Sequence, residues 1–229
     1  MKNLLTILAI FLFLWVGGVI AQEDEGYETD GTLCVETDDD DGRSLNGIYP
    51  YRHSDSACFW IVGDSGLVLR YRGYERDIAQ YPNLCAFEST YARVLNPAHN
   101  LMSVSFAPND DRKGWIVGYV NGGTDKWRGV IYKTIDGGVN WTYRYPDIAP
   151  GEKIPCLKVQ AINENYVWVS CGHGYVLWTA NGGGNWEVKT KPGGDHHTGW
   201  FYGLYALNKY VAWVASDQSG FVANKSYLK

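Results

Sequence analysis

Methionine is scarce, with 2 in 229 residues, and stretches rich in Met, Glu or Lys are few, which argues against a helical bundle. Basic excess is missing too: 20 Lys and Arg face 25 Asp and Glu, a formal net charge of -5. A nucleic-acid or anionic-membrane partner needs a basic face to neutralise phosphates, so that balance argues against both. No pair of cysteines has the spacing of a zinc site. What the chain has in abundance is ring and glycine: 10 Trp, 17 Tyr, 7 Phe and 27 Gly, with 45% hydrophobic residues overall. Rings suit a pleated surface and glycine supplies the positive φ of tight turns, so the composition predicts an all-β domain with a real core.

Met1, Lys2 and Asn3 precede an apolar run from Leu4 to Trp15, and small residues lead up to Ala21. The run is shorter than the roughly 20 residues that span a bilayer. Residues 1–21 therefore read as a signal peptide cleaved near Ala21, with an uncleaved anchor as the competing reading. The expected location is secreted or extracytoplasmic (periplasm, lumen or extracellular), and the mature protein is expected to be soluble or peripherally associated. Residues 22–43 form an acidic leader ending in Asp38-Asp39-Asp40-Asp41-Gly42. A calcium loop is not supported there, because Thr37 holds the first ligand position and Ile48 the twelfth, where a bidentate Glu is required.

Five cysteines follow, and an exported chain makes disulfides plausible. Cys156 and Cys171 are the candidate pair, since their flanks read as two strands joined by a turn at Asn163-Glu164-Asn165. Cys34, Cys58 and Cys85 share a second bridge whose pairing the sequence leaves open.

One strand recurs four times over residues 44–229: Trp60-Ile61-Val62-Gly63, Trp115-Ile116-Val117-Gly118, Trp168-Val169-Ser170-Cys171 and Trp213-Val214-Ala215-Ser216. Each copy precedes a Gly-containing turn and a second apolar strand, Gly66–Arg70, Gly129–Thr134, Gly174–Thr179 and Gly220–Asn224, and another candidate strand lies before it. Antiparallel strands at this period, with no helix between them, predict propeller blades.

Two of the repeats continue into the pattern Ser/Thr, any, Asp/Asn, any, Gly, any, any, Trp. The residues are Thr134, Asp136, Gly138 and Trp141 in one, Thr179, Asn181, Gly183 and Trp186 in the other. Here the sequence resembles the Asp-box, or bacterial neuraminidase repeat, β-propellers. The Asp or Asn accepts N–H groups across the turn, Gly takes positive φ, and Trp covers the hairpin. The segments Trp60–Arg70 and Gly129–Trp141 are similar to the photosystem II assembly and stability factor family, which implies an exported, non-catalytic propeller that escorts a protein subunit. The chain departs from that pattern where Arg70-Tyr71-Arg72-Gly73 replaces a box, and again where Asn224–Lys229 stands in the place of the fourth. About four blades are recognisable, in a ring that is either closed, open or truncated.

The face carrying the second-to-third strand connections is the expected binding face. Its candidate binding residues are Trp127, Arg128, His173, Asp195, His196, His197 and Trp200, with Trp127 and Trp200 chosen for loop settings beside Gly and charge. Tyr119, Trp178, Tyr202 and Tyr205 supply further rings, whereas Trp115, Trp141, Trp168, Trp186 and Trp213 read as blade packing. His173 with Asp195-His196-His197 offers a metal or acid/base cluster, but a polar loop after Pro192-Gly193-Gly194 explains the same residues and is preferred. No metal, cofactor or catalytic residue is assigned. Sialidase chemistry needs three clustered Arg and an acid/base pair, and the spacing places neither. The expected function is a protein-binding assembly or scaffold factor. A carbohydrate-binding or sialidase-like glycosidase propeller is the alternative. Sequons occur at Asn140-Trp141-Thr142 and Asn224-Lys225-Ser226.

Overall fold

The computed structural model describes residues 43–53, 56–74, 87–149, 151–190, 199–216 and 222–225. The signal peptide, the acidic leader up to Gly42, Cys34, Cys85, and Asp195, His196 and His197 lie outside the described residues. Four antiparallel sheets follow one another along the chain, each a meander in which sequence neighbours pair. Blade 1 is β1 Leu45–His53, β2 Ser56–Gly63, β3 Leu67–Tyr74 and β4 Phe87–Val94. Blade 2 is β5 His99–Ala107, β6 Asp110–Val120, β7 Gly129–Thr134 and β8 Thr142–Arg144. Blade 3 is β9 Cys156–Ala161, β10 Val167–Cys171, β11 Val176–Thr179 and β12 Glu187–Thr190. Blade 4 has three strands, β13 Phe201–Ala206, β14 Val211–Ser216 and β15 Val222–Lys225. The only helical pieces described are 3-10 turns, and the architecture is an arc of β-propeller blades.

The recurring Trp-x-x-x strand is the second strand of each blade, and its unbroken apolar run follows from its position. A blade inside the stack is covered on both faces, so residues pointing either way are buried. Trp115, Ile116 and Val117 are all wholly buried, Trp115 and Val117 toward blade 3 and Ile116 toward blade 1. The cores are thus the seams between blades. Trp60, Val62, Leu101, Phe106 and Tyr132 fill the first, Trp115, Val117, Val159, Val169 and Leu177 the second, and Trp168, Trp178, Phe201 and Val214 the third.

The first strands are innermost, and each packs on the next, β1 on β5, β5 on β9 and β9 on β13. Their facing edges expose backbone groups that must find partners. Side chains of the preceding blade supply them: Asn46 Nδ2 donates to Leu101 O (3.0 Å), Ser103 and Ser105 hydroxyls accept from Val159 and Ala161 N–H (3.3 and 3.0 Å), and Gln160 grips the Ala206 backbone through both amide atoms (2.6 and 3.1 Å). No comparable contact returns from β13 to β1, so among the described residues the arc is open.

The two turns after β7 and β11 are built alike. Thr134 Oγ1 donates to Asp136 Oδ1 (2.8 Å) and accepts the Gly138 N–H (2.9 Å), while Asp136 Oδ1 accepts the Asn140 N–H (2.9 Å). In blade 3, Thr179 donates to Asn181 Oδ1 (2.9 Å) and accepts from Gly183 (3.0 Å), and Asn181 accepts from Asn185 (2.9 Å). These bonds hold the Asp136 carboxyl below its ordinary pKa, the Asn140 N–H contributing most. Gly138 and Gly183 sit at φ 86° and 88°. A Cβ on Gly138 would come within 2.4 Å of the Trp60 indole, so glycine here is demanded both by φ and by the neighbouring blade. Trp141 meets Trp60 edge-on at 6.3 Å, sealing the same seam.

Three sequence expectations need correction. The stretch from Tyr74 to Asn100 reads as a departure from the repeat, yet it contains β4, which pairs along β3 from Gly73↔Phe87 to Leu67↔Val94 and completes blade 1 without a box. Trp213 reads as blade packing, but it is only half-buried and belongs to none of the seams. Cys156 and Cys171 do face each other in the β9–β10 register. Their buried Sγ atoms are 3.3 Å apart as free thiols, so the expected disulfide is not formed. Cys58 is buried as well.

Candidate functional site

The strand-two to strand-three connections gather on one face of the arc. After β6 the chain turns through Gly123 at φ 69°, and Trp127 closes the loop with its N–H on Val120 O (2.8 Å). Trp127 itself lies at φ 73°, a conformation that a bulky residue adopts only at a cost and that swings its ring out of the blade. The equivalent turn of blade 3 puts His173 at φ 55° between Gly172 and Gly174. Gly174 N–H reaches Gly199 O (3.0 Å), tying that turn to the entry of blade 4. A Cβ on Gly172 would crowd the Pro155 ring at 3.1 Å and meet the Trp200 ring at ordinary contact distance, 3.8 Å.

The result is a continuous row of rings across three blades. Tyr119 and Trp127 are 4.8 Å apart, Trp127 meets Trp200 edge-on at 5.6 Å, and Tyr202 stacks on Trp200 at 6.2 Å. His173 abuts Trp200 at 6.3 Å. Trp127 is 39% and Tyr202 50% exposed, a large accessible apolar surface for a face that is otherwise polar turn. The Lys126 ammonium sits 5.2 Å over the Trp127 ring.

Beside the row lies an open cleft of about 270 Å³, lined by Asp125, Arg128, Tyr145, Glu152, Lys153 and Ile154 among others. Arg128 pairs with Asp125 (3.8 Å) and lies 4.2 Å over the Tyr145 ring. Behind Tyr145, the buried His99 is held by two phenols, Nδ1 to Tyr132 OH at 2.6 Å and Nε2 to Tyr145 OH at 3.2 Å. Burial lowers the His99 pKa and raises those of Tyr132 and Tyr145, so the neutral forms prevail at neutral pH. A neutral imidazole between two hydroxyls can donate from one nitrogen and accept at the other, which satisfies the triad without charge.

Of the candidate residues, Trp127, His173 and Trp200 come together in the row, and Arg128 lies beside it on the wall of the cleft. Trp178 is buried between blades 3 and 4, and Tyr205 lies on the outer face of blade 4. Sequence reasoning missed the His99–Tyr132–Tyr145 triad and a second recess of about 290 Å³ lined by Tyr49, Tyr51, Trp60 and Phe106. There Arg70 Nε donates to Tyr51 OH (2.7 Å), and desolvation lifts the Tyr51 pKa to about 12. Both sites are assembled from different strands, which no local motif announces. Among the described residues, no group of three His, Cys, Asp or Glu is placed to hold a metal ion.

No family model matches the chain, and no curated protein matches it. Solved structures resemble it in shape. A Chaetomium thermophilum Raptor structure matches 82% of this chain and 16% of its own, at TM-score 0.54 and 11% identity. An ancestral GH74 enzyme matches 75% of this chain and 22% of its own, at TM-score 0.53 and 14% identity. The structure of YCF48 bound to D1 peptide matches 82% of this chain at TM-score 0.48 and 14% identity. This chain spans 56% of that protein's length. The fold is a β-propeller. At these identities the likeness carries the fold and leaves function to the site itself.

Proposed function

We propose that this chain is an exported, non-catalytic Asp-box propeller that binds a protein partner as an assembly or scaffold factor. The observation that carries the reading is the row Tyr119–Trp127–Trp200–Tyr202, exposed on the face where the connecting turns converge. Rigid rings give large contact area at low entropic cost, which suits the capture of an extended apolar segment of another protein. Lys126 and Arg128 beside Asp125 supply polar anchors at the rim of the row. The acidic leader and the signal peptide fit a chain that works outside the cytoplasm.

Flat indoles also suit the face of a pyranose ring, so carbohydrate binding is the second reading. Screening the protein against a peptide library and a glycan array separates the two. The expected result is peptide binding weakened tenfold or more by Trp127→Ala and by Trp200→Ala, with no glycan retained. Glycan binding that both substitutions abolish would transfer the row to the sugar reading. Turnover of a fluorogenic sialoside or glucoside would overturn the non-catalytic assignment.

A further inference from the structure

The third strand carries a cation opposite the central indole in two blades: Arg70 faces Trp60, and Lys133 faces Trp115. The two cations are served differently. Arg70 Nε donates to Tyr51 OH (2.7 Å), and its guanidinium lies 5.7 Å over the Tyr51 ring and 5.3 Å over the Trp60 ring. Lys133 Nζ has neither kind of partner: among the described residues it makes no hydrogen bond, ion pair or ring contact. Lys133 is half-buried, and burial penalises a charge that nothing compensates, so this ammonium calls for an acceptor that the chain itself does not supply.

More positive charge stands around it. Side chains alternate between faces along a strand, so Lys113, two residues before Trp115, shares the face of blade 2 turned toward blade 3. Arg144, two residues after the Thr142 that pairs with Lys133, shares it too. Burial and these two cations hold the Lys133 amine below its ordinary pKa, and no carboxylate offsets them. The acids nearby have other partners. Asp110 pairs with Lys113 (3.4 Å) and Arg112 (3.3 Å), Asp136 is bonded within its own turn, and Glu164 Oε1 accepts from Asn165 Nδ2 (3.2 Å). The facing wall is the Asn181 turn of blade 3. A Cβ on Gly182 would lie 3.3 Å from Lys133 Nζ, and Arg144 donates one N–H to Gly184 O (2.8 Å). The remaining guanidinium N–H groups and the Lys133 ammonium stay available to an acceptor.

We propose that Lys133, Arg144 and Lys113 form a binding site for a free tetrahedral oxyanion, inorganic phosphate or sulfate, at the rim of the seam between blades 2 and 3. Such an anion accepts several N–H groups at once and brings the negative charge that the cluster lacks. The site lies at the end of β7 away from Trp127, so it is independent of the aromatic row. Inorganic phosphate and sulfate, each titrated into the isotope-labelled full chain, test this through the Gly182 and Gly184 amide resonances, with chloride at matched ionic strength as the control. The expected result is a saturable shift with an oxyanion, the tighter of the two being the occupant, and none with chloride. Lys133→Met should weaken binding at least about tenfold, the loss of one charge-assisted hydrogen bond, whereas Lys133→Arg should retain it. Lys133→Gln repeats the test with a second neutral side chain if the Met variant fails to fold. Thermal unfolding is an independent readout: the oxyanion should raise the wild-type midpoint above its value in chloride and leave that of Lys133→Gln unmoved. Shifts that follow ionic strength alone overturn the proposal. A folded neutral variant that binds the oxyanion as tightly as the wild type overturns it equally.

Discussion

Trp115 and Trp213 stand at the same position in two copies of one strand, yet the first is wholly buried and the second is not. Their local surroundings are alike: each pairs on both sides within its own sheet. The difference is the neighbour. Blade 3 closes over Trp115, and its Gly182 carbonyl accepts the indole N–H, whereas among the described residues the ring that Trp213 meets is Tyr205 of its own blade. In a stack of blades the stabilisation from a side chain depends on the next unit as much as on its own, so identical sequence units are not energetically equal.

The contrast is broken most sharply by truncating both indoles. Trp115→Ala should cost about 3–5 kcal/mol of unfolding free energy, the range for a large buried ring. Trp213→Ala should cost roughly 1 kcal/mol or less, nearer a surface change. Urea titration of the two variants reads the difference, and equal losses would show that the outer face of blade 4 is covered. The next largest effect is at a seam. Gly138→Ala must place a Cβ against the Trp60 indole at φ 86° and should cost about 2 kcal/mol or more, since the left-handed conformation alone costs roughly 1–2. Gly122→Ala, in extended backbone with open space around it, should change stability by about 0.5 kcal/mol at most.

Removing the buried hydroxyl of either conserved-geometry turn sharpens the comparison within the middle blades. Thr134→Val and Thr179→Val each strand a glycine N–H, and thermal unfolding should register about 1–3 kcal/mol for each. Equal losses would show that Asp136 and Asn181 serve their turns equally well.

The smallest effect is a pH dependence from His99. Its folded pKa lies below the unfolded value near 6.5, so the unfolded chain takes up the proton first as pH falls. The stability that neutral His99 provides is complete above about pH 6.5 and declines as pH drops toward the folded value. Stability curves of the wild type and His99→Gln should converge over that window. A wild-type curve that falls no faster than the variant's would remove His99 as the cause.

The fold is legible in the sequence because the blades repeat their signals locally: a Trp-led apolar strand in all four, then Thr-x-Asp/Asn-x-Gly for the turn in blades 2 and 3. Where that signal fails, as in the approach to β4, only the ladder from Leu67 to Gly73 reveals the fourth strand. Trp127 and Trp200 are legible as loop residues from their Gly-rich and charged flanks. Their edge-on contact is not, because it depends on how blades 2 and 4 are brought together over the Pro155–Gly172 backbone. The His99 triad is harder still, since its members come from β5, β7 and the strand-like exit of blade 2, with no shared motif. The exposure of Trp213 is invisible in principle from its own strand.

The outer strands have a bearing on solubility. β8 and β12, the free edges of the middle blades, are only three and four residues long and include Arg144, Glu187 and Lys189. Such edges offer little backbone for a stray strand to pair with. β4 is eight residues long and ends its sheet, so blade 1 carries the longest ladder among the described outer edges. Arg93 puts charge on that strand and reaches across to the Val139 carbonyl at 3.1 Å. Guarding that edge against aggregation thus draws on Arg93, whereas the middle blades keep their edges short.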